Sequence, residues 1–318
     1  MRMLIPLTLL VPLTLISTAS AQKPTIQDEI QNLAKNAPLS MRFKGSTKKE
    51  LLDWQTKFRE KLGSLLGPSE PPKKWEVVVE ARQTLKDHIR EQLLLKAKGH
   101  PTLPVYLLLP KDVKQKRPAI LALHGHGDYG YETVAGRDDL KGVAAAIQKA
   151  NYDYGRQLVR QGYVVAVPCF TPFGRRIVSR ARYGRQDPCA VTFVRLQLLG
   201  KVLMAENLRD ARWAFELLAQ HRFVDAKRIG CVGLSYGGRM TMLTSAMEPR
   251  IKIAVVSGAL NVMQERVQLR YSCGAQVIPG LLNYGDVPEI SSLIAPRPLI
   301  FEIGSSDGLI KEDWARSA

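Results

Sequence analysis

The run Gly233-Leu234-Ser235-Tyr236-Gly237 constrains this chain more than any other stretch. Residues 228–232, Arg-Ile-Gly-Cys-Val, form a short apolar segment before it and read as a buried strand. Residues 238–243 follow and read as the first turns of a helix. A serine between two glycines at a strand-to-helix junction implies a very tight turn. Side chains two residues before or after the serine would clash there, so both positions are glycine. The serine itself is then held in a strained backbone conformation with its hydroxyl exposed, which suits a nucleophile. Glycine and serine are common, so the pentapeptide alone is weak evidence; the strand and helix around it carry the weight.

The rest of the chain supplies a sheet for that turn. Residues 118–123, Pro-Ala-Ile-Leu-Ala-Leu, form a continuous apolar run, as expected of a central strand buried on both faces. Further strands are predicted over 75–80, 89–96, 105–109, 163–167, 253–256 and 299–303. A helical stretch ending near Arg160 and a helix over 201–221 lie between them. Strands alternating with helices predict an α/β fold, a mostly parallel central sheet flanked by helices with right-handed crossovers. Two insertions interrupt it, a basic one over 170–200 and another over 259–293.

Ahead of the sheet, residues 22–45 are polar and irregular apart from a short helix near 26–34. Thr47-Lys48-Lys49-Glu50 is a capping box, followed by Leu51, Trp54, Phe58, Leu62 and Leu65 at helical spacing. Residues 22–74 thus read as an N-terminal helical extension, and 75–318 as the main domain. Residues 1–21 combine a basic start, an apolar core and small residues at Ala19 and Ala21, the pattern of a secretory leader cleaved after Ala21. The run is short for a span and carries Pro6 and Pro12, so no stable membrane anchor is expected once it is removed. The expected location is secreted or periplasmic.

The formal charge of +17 comes from basic residues scattered through helices and loops rather than gathered in a tract. It reads as solvated surface and not as a nucleic-acid code. Cys169, Cys189, Cys231 and Cys273 lie far apart without metal-ligand spacing. Export permits a disulfide, with Cys169 and Cys189 the first pair to test, whereas Cys231 in the elbow strand reads as an inert core thiol.

A nucleophilic Ser235 needs a base, an acid to orient that base, and two N–H donors for the developing alkoxide. One donor is expected to be the Tyr236 amide at the helix start, where the dipole favours negative charge. The other should come from His124-Gly125-His126-Gly127, the loop after the central strand, with the His126 amide first and Gly125 next. His124-Gly125-His126-Gly127-Asp128 also opens a binuclear zinc motif. Tyr129 stands where the next ligand belongs, however, and only His221 lies downstream, so neither metal nor cofactor is expected. The acid is assigned to Asp307 in Gly304-Ser305-Ser306-Asp307, with Asp286 as fallback. No histidine follows Asp307, and His221 precedes the elbow strand, at the opposite end of the sheet from Ser235.

These motifs, together with Ala295-Pro296-Arg297-Pro298-Leu299, resemble the α/β-hydrolase superfamily over residues 75 to 318. Within it the resemblance is to the dienelactone-hydrolase and acetyl-xylan-esterase-like secreted bacterial hydrolases. It implies a final helix and strand after the acid loop, then a loop bearing the catalytic histidine. This sequence departs from that pattern, so the chain is expected to be truncated before the histidine. Residues 299–303 would then form an exposed sheet edge, and Ser235 would be impaired.

The reading is an exported serine hydrolase that cleaves carboxylic esters through an acyl-enzyme. Small-molecule or carbohydrate esters are its expected substrates, and Arg175 and Arg176 of the first insertion are candidates for substrate contact or for ion pairs that pin the insertion. A catalytically inactive hydrolase-fold binding protein and a prolyl-oligopeptidase-type peptidase are the alternatives.

Overall fold

The computed structural model describes residues 24–177, 179–269 and 273–318; the segment predicted to be a secretory leader, residues 1–21, lies outside the described residues. Two helices lead: α1 (Ile26–Lys35) and α2 (Lys48–Leu66), the second opened by the Thr47/Glu50 capping box. Thr25 and Asp28 form a second capping box on α1. Phe58, Leu62 and Leu66 of α2 are buried in the main hydrophobic core.

Four strands follow, β1 (Glu76–Thr84), β2 (His88–Lys96), β3 (Leu103–Pro110) and β4 (Arg117–Leu123). β1 runs four residues beyond the predicted end, through a bulge between Val79 and Ala81, and is largely exposed at the sheet's outer edge. The helical stretch predicted to end near Arg160 is three short helices, α3 (Tyr131–Val134), α4 (Val143–Ala150) and α5 (Tyr154–Arg160). Positive φ at Gly136 (70°), Gly142 (82°) and Asn151 (49°) breaks the run between them.

After β5 (Val164–Pro168), the first insertion carries α6 (Pro188–Gln197), capped by Asp187 with proline at its first position, a start signal the sequence reading passed over. Then come α7 (Leu203–Gln220), β6 (Val224–Leu234), α8 (Tyr236–Met247) and β7 (Ala254–Ser257). The second insertion holds α9 (Met263–Leu269) and α10 (Val287–Ser292); β8 (Leu299–Glu302) and α11 (Glu312–Ser317) complete the order.

The strands form one eight-stranded sheet in the order β1-β2-β3-β5-β4-β6-β7-β8. β1, β2, β3 and β5 pair antiparallel with their neighbours in that series, and every pair from β5 through β4 to β8 is parallel. Alternation explains the two cores. Val105, Leu107, Leu121, Val164 and Ala166 face one, and Tyr106, Leu108, Ala122, Val165 and Val167 face the other. Each such leucine or valine contributes ~1.5–3 kcal/mol by leaving water, and helices cover both faces. β8 is the last strand of the sheet among the described residues, with Ile300 50% exposed. No helix among the described residues is long and apolar enough to cross a membrane.

Candidate active site

Ser235 sits between the end of β6 and the start of α8 at φ 59°, ψ −117°, half-buried, with its N–H donating to Ser257 O at 2.8 Å. Only backbone packing permits that turn. A Cβ on Gly237 would lie 1.9 Å from Leu123 O, and one on Gly233 would lie 2.4 Å from the Gly237 carbonyl. The elbow is therefore wedged against the end of β4, whose Leu123 is in register with Gly233. Holding a serine at positive φ costs about 1–3 kcal/mol, and the parallel pairs on both sides of β6 absorb it. Tyr236 opens α8, so its amide is among the unpaired N–H groups at the helix start.

The loop after β4 runs directly against the serine, because a Cβ on Gly125 would be 3.4 Å from Ser235 Cβ. His124 anchors this loop from inside the protein. Its Nε2 accepts the Phe170 N–H (2.9 Å), so the proton resides on Nδ1, which donates to Gly125 O (2.8 Å). Burial pushes this imidazole down to about 4, which keeps it neutral. Both His124 ring nitrogens are thereby engaged within the protein, so this histidine presents no free nitrogen to a ligand.

Gly125 requires a correction. Its N–H donates to Tyr152 Oη at 2.8 Å, so it is not the reserve oxyanion donor that the sequence suggests. The His126 amide remains the loop's candidate. The exposed His126 ring packs against Phe173 and Tyr236, with centroids 5.4 and 5.2 Å away. Tyr236 is buried, and its hydroxyl accepts from Asn207 Nδ2 (2.6 Å). Asn207 also bonds both backbone groups of Thr171, tying α7, the elbow and the first insertion together. Tyr152 and Asn207 carry no motif, and sequence reasoning missed both.

Asp307 is half-buried beyond β8, its Oδ1 accepting the Leu309 N–H at 2.8 Å. The Ser235 nitrogen and Asp307 Oδ2 lie 3.7 and 3.9 Å from the point a Gly258 Cβ would occupy. The structure thus brings the nucleophile and acid candidates into one neighbourhood. Asp286 is elsewhere engaged: buried, it caps α10 and accepts the Met263 and Gln264 N–H groups of α9.

No histidine ring is hydrogen-bonded to Ser235 or Asp307 among the described residues. His88 is buried in β2 beside Asp87, and His100 packs on Trp213. His221 caps the end of α7 just before β6 begins, at the amino end of the sheet as expected.

The first insertion calls for two further corrections. Arg175 is paired with Glu80 of β1, and Arg176 with the buried Asp210 of α7 and the Cys169 carbonyl. These ion pairs hold the insertion down and occupy both guanidinium groups, in place of the substrate contacts considered from sequence. Cys169 and Cys189 are not partners. Cys169 Sγ contacts Phe173 O, whereas Cys189 neighbours Cys273; all four cysteines are free thiols. Cys231 is a buried core thiol pushed up to about 12 by burial.

A strained serine on a strand-to-helix elbow, an adjoining amide loop and a carboxylate beyond a later parallel strand define an α/β-hydrolase. The chain belongs to the Abhydrolase family, whose model matches residues 25–311. It is 30% identical over 261 residues to YtaP of Bacillus subtilis strain 168, a provisionally named hydrolase, covering 79% of this chain and 81% of that protein.

Solved structures share the fold at low identity. A provisionally assigned acetyl xylan esterase of Bacteroides fragilis NCTC 9343 superposes with TM-score 0.77 at 18% identity, over 92% of this chain and 78% of that one. A glucuronoyl esterase of Solibacter usitatus gives 0.58 at 17%, over 85% and 79%. The acetyl xylan esterase of Paenibacillus sp. R4 gives 0.52 at 14%, over 89% and 96%.

Proposed function

We propose that this chain is an exported serine hydrolase of carboxylic esters, acting on acyl groups carried by small molecules or carbohydrate. The observation that carries the reading is Ser235 at φ 59°, wedged by two glycines against β4. In the proposed reaction Ser235 Oγ attacks the ester carbonyl, and the Tyr236 and His126 amides receive the oxyanion. The alcohol leaves, and water then releases the acid from the acyl-enzyme. Asp307 orients the base. The names of the structural neighbours support an ester substrate on carbohydrate, and the leader pattern supports export.

No histidine ring is hydrogen-bonded to Ser235 or Asp307 among the described residues, so the proposed chemistry has no assembled acid–base histidine here. We infer slow turnover by these 318 residues. The same observation favours a second reading, an inactive hydrolase-fold protein that binds its ligand without cleaving it.

Turnover of p-nitrophenyl acetate by the chain and by Ser235→Ala, each with and without added imidazole, separates the two. A hydrolase with its base missing retains a Ser235-dependent rate that imidazole raises more in the parent than in the variant. A fluorophosphonate probe should label Ser235. Identical rates in both proteins under both conditions, with no labelling, would leave only the binding reading.

A further inference from the structure

The mechanism leaves one cluster of reactive side chains unused. His126, Cys189 and Cys273 each present a ligand atom, and these atoms lie within 4.8 Å of one another. They come from three distant places: the loop after β4, the first turn of α6, and the segment that follows α9 in the second insertion. Cys189 is buried, Cys273 half-buried and His126 exposed, so the cluster is a notch opening to solvent. We propose that these three residues bind one thiophilic metal ion of the Zn2+ class, which clasps both insertions to the oxyanion loop.

Donor chemistry and placement support this. Two thiolates and one imidazole are the set that a soft or borderline d10 cation selects, and oxygen-seeking Mg2+ and Ca2+ do not match it. Bond lengths of about 2.3 Å to sulfur and 2.0–2.1 Å to nitrogen around a tetrahedral ion set ligand atoms within the separation observed here. Phe173 and Tyr236 flank the His126 ring and limit its orientations before any ion arrives. Asp187 accepts the N–H groups of Cys189 and Ala190, which fixes the α6 turn that presents Cys189. Three protein ligands leave a fourth position on the exposed side for water or an anion. Binding releases the thiol protons to solvent and involves no electron transfer.

A Cys189–Cys273 disulfide would use the same sulfurs but would need no imidazole beside them; metal binding accounts for all three residues. The inference does not depend on esterase activity, because its readout is spectroscopic.

The full chain, reduced with a phosphine and held under argon, is titrated with Co2+. One equivalent should produce a near-ultraviolet sulfur-to-cobalt charge-transfer band and strong visible bands of a tetrahedral centre, and Zn2+ should bleach both. Cys189→Ser and Cys273→Ser should each lower affinity by at least about 100-fold. His126→Ala should keep the charge-transfer band but weaken binding, which also covers the case of a cysteine variant that fails to fold. Two results would overturn the proposal. One is a reduced chain that takes up no Co2+, including one that arrives with Cys189 and Cys273 joined. The other is a band that survives unchanged in Cys273→Ser.

Discussion

Replacing Gly237 with alanine tests the elbow at its tightest point. The added methyl would sit 1.9 Å from Leu123 O, 2.7 Å from Leu123 C and 2.9 Å from His124 C, where ordinary contacts begin at 3.4 Å. The shortest of these overlaps by about 1.5 Å, and all three obstacles are backbone atoms of β4 and the oxyanion loop, not yielding side-chain tips. Relief requires α8 to part from β4, against the Leu123–Gly233 register.

Overpacking typically costs about 1–3 kcal/mol, and a rigid backbone obstacle belongs at the top of that range or above it. Alanine returns ~1 kcal/mol of helix propensity, so the net expectation is a loss of about 2 kcal/mol or more. Gly63→Ala is the control. It lies inside α2, its methyl would meet only Met247 Cε at 3.7 Å, and it should be neutral or stabilising by up to ~1 kcal/mol. Urea unfolding followed by fluorescence measures both variants. The Ser235-dependent rate of Gly237→Ala should fall by about 100-fold or more, because both proposed oxyanion donors adjoin the displaced segments. A Gly237→Ala protein with the parent's urea midpoint and rate would refute the wedge.

Three further outcomes follow from named contacts. His124 is held near 4 against an ordinary 6.5, so the unfolded chain binds the extra proton between those values and stability falls as pH drops through that window. The effect is on the order of 3 kcal/mol, present in full above pH 6.5, and His124→Gln should flatten the slope of urea midpoint against pH; an unchanged slope would count against it. Among the described residues Arg176→Ala leaves the buried Asp210 only Arg209 as an ion-pair partner, and it should destabilise by about 2–3 kcal/mol in urea unfolding. Arg175→Ala, at a 36%-exposed side chain, should stay within about 1 kcal/mol, and neither variant should change preference between neutral and acidic esters. Tyr152→Phe removes the acceptor of the Gly125 N–H and should lower stability by about 1–3 kcal/mol and kcat with little change in KM, as measured on p-nitrophenyl acetate.

The fold was legible because its signals are local. A continuous apolar run marks strands buried on both faces, and the Thr47 box and the glycine pair each act within a few positions. All eight strands lie where apolar runs predict them. What escaped depends on contacts between distant segments. Tyr152 meets Gly125 across 27 residues, and Asn207 meets Tyr236 across 29; neither tyrosine nor asparagine announces such a partner. The sequence could not pair the thiols for the same reason. Cys169 and Cys189 are nearer in sequence, but Cys169 directly follows β5 and lies in the sheet's second core, and α6 presents Cys189 to the other insertion. For the arginines of the first insertion the sequence left substrate contact and ion pairing both open, because it shows charge and not its neutralisation by Glu80 and Asp210.

Gly258 defines what the catalytic arrangement still demands. It lies directly after β7 at φ 59°, its N–H donating to Glu302 O of β8, so its backbone is fixed between β6, which leads to Ser235, and β8, which leads to Asp307. A side chain here would be strained by the backbone and would begin 3.7 Å from the Ser235 nitrogen and 3.9 Å from Asp307 Oδ2. In the proposed mechanism an imidazole joining the Ser235 hydroxyl to the Asp307 carboxylate would pass near this residue, which has no side chain. Gly258→Ala should then do more harm to imidazole-rescued turnover than to the slow unassisted rate, because the added methyl obstructs the base rather than the serine. Equal losses in both rates would mean that the base does not approach by this corridor.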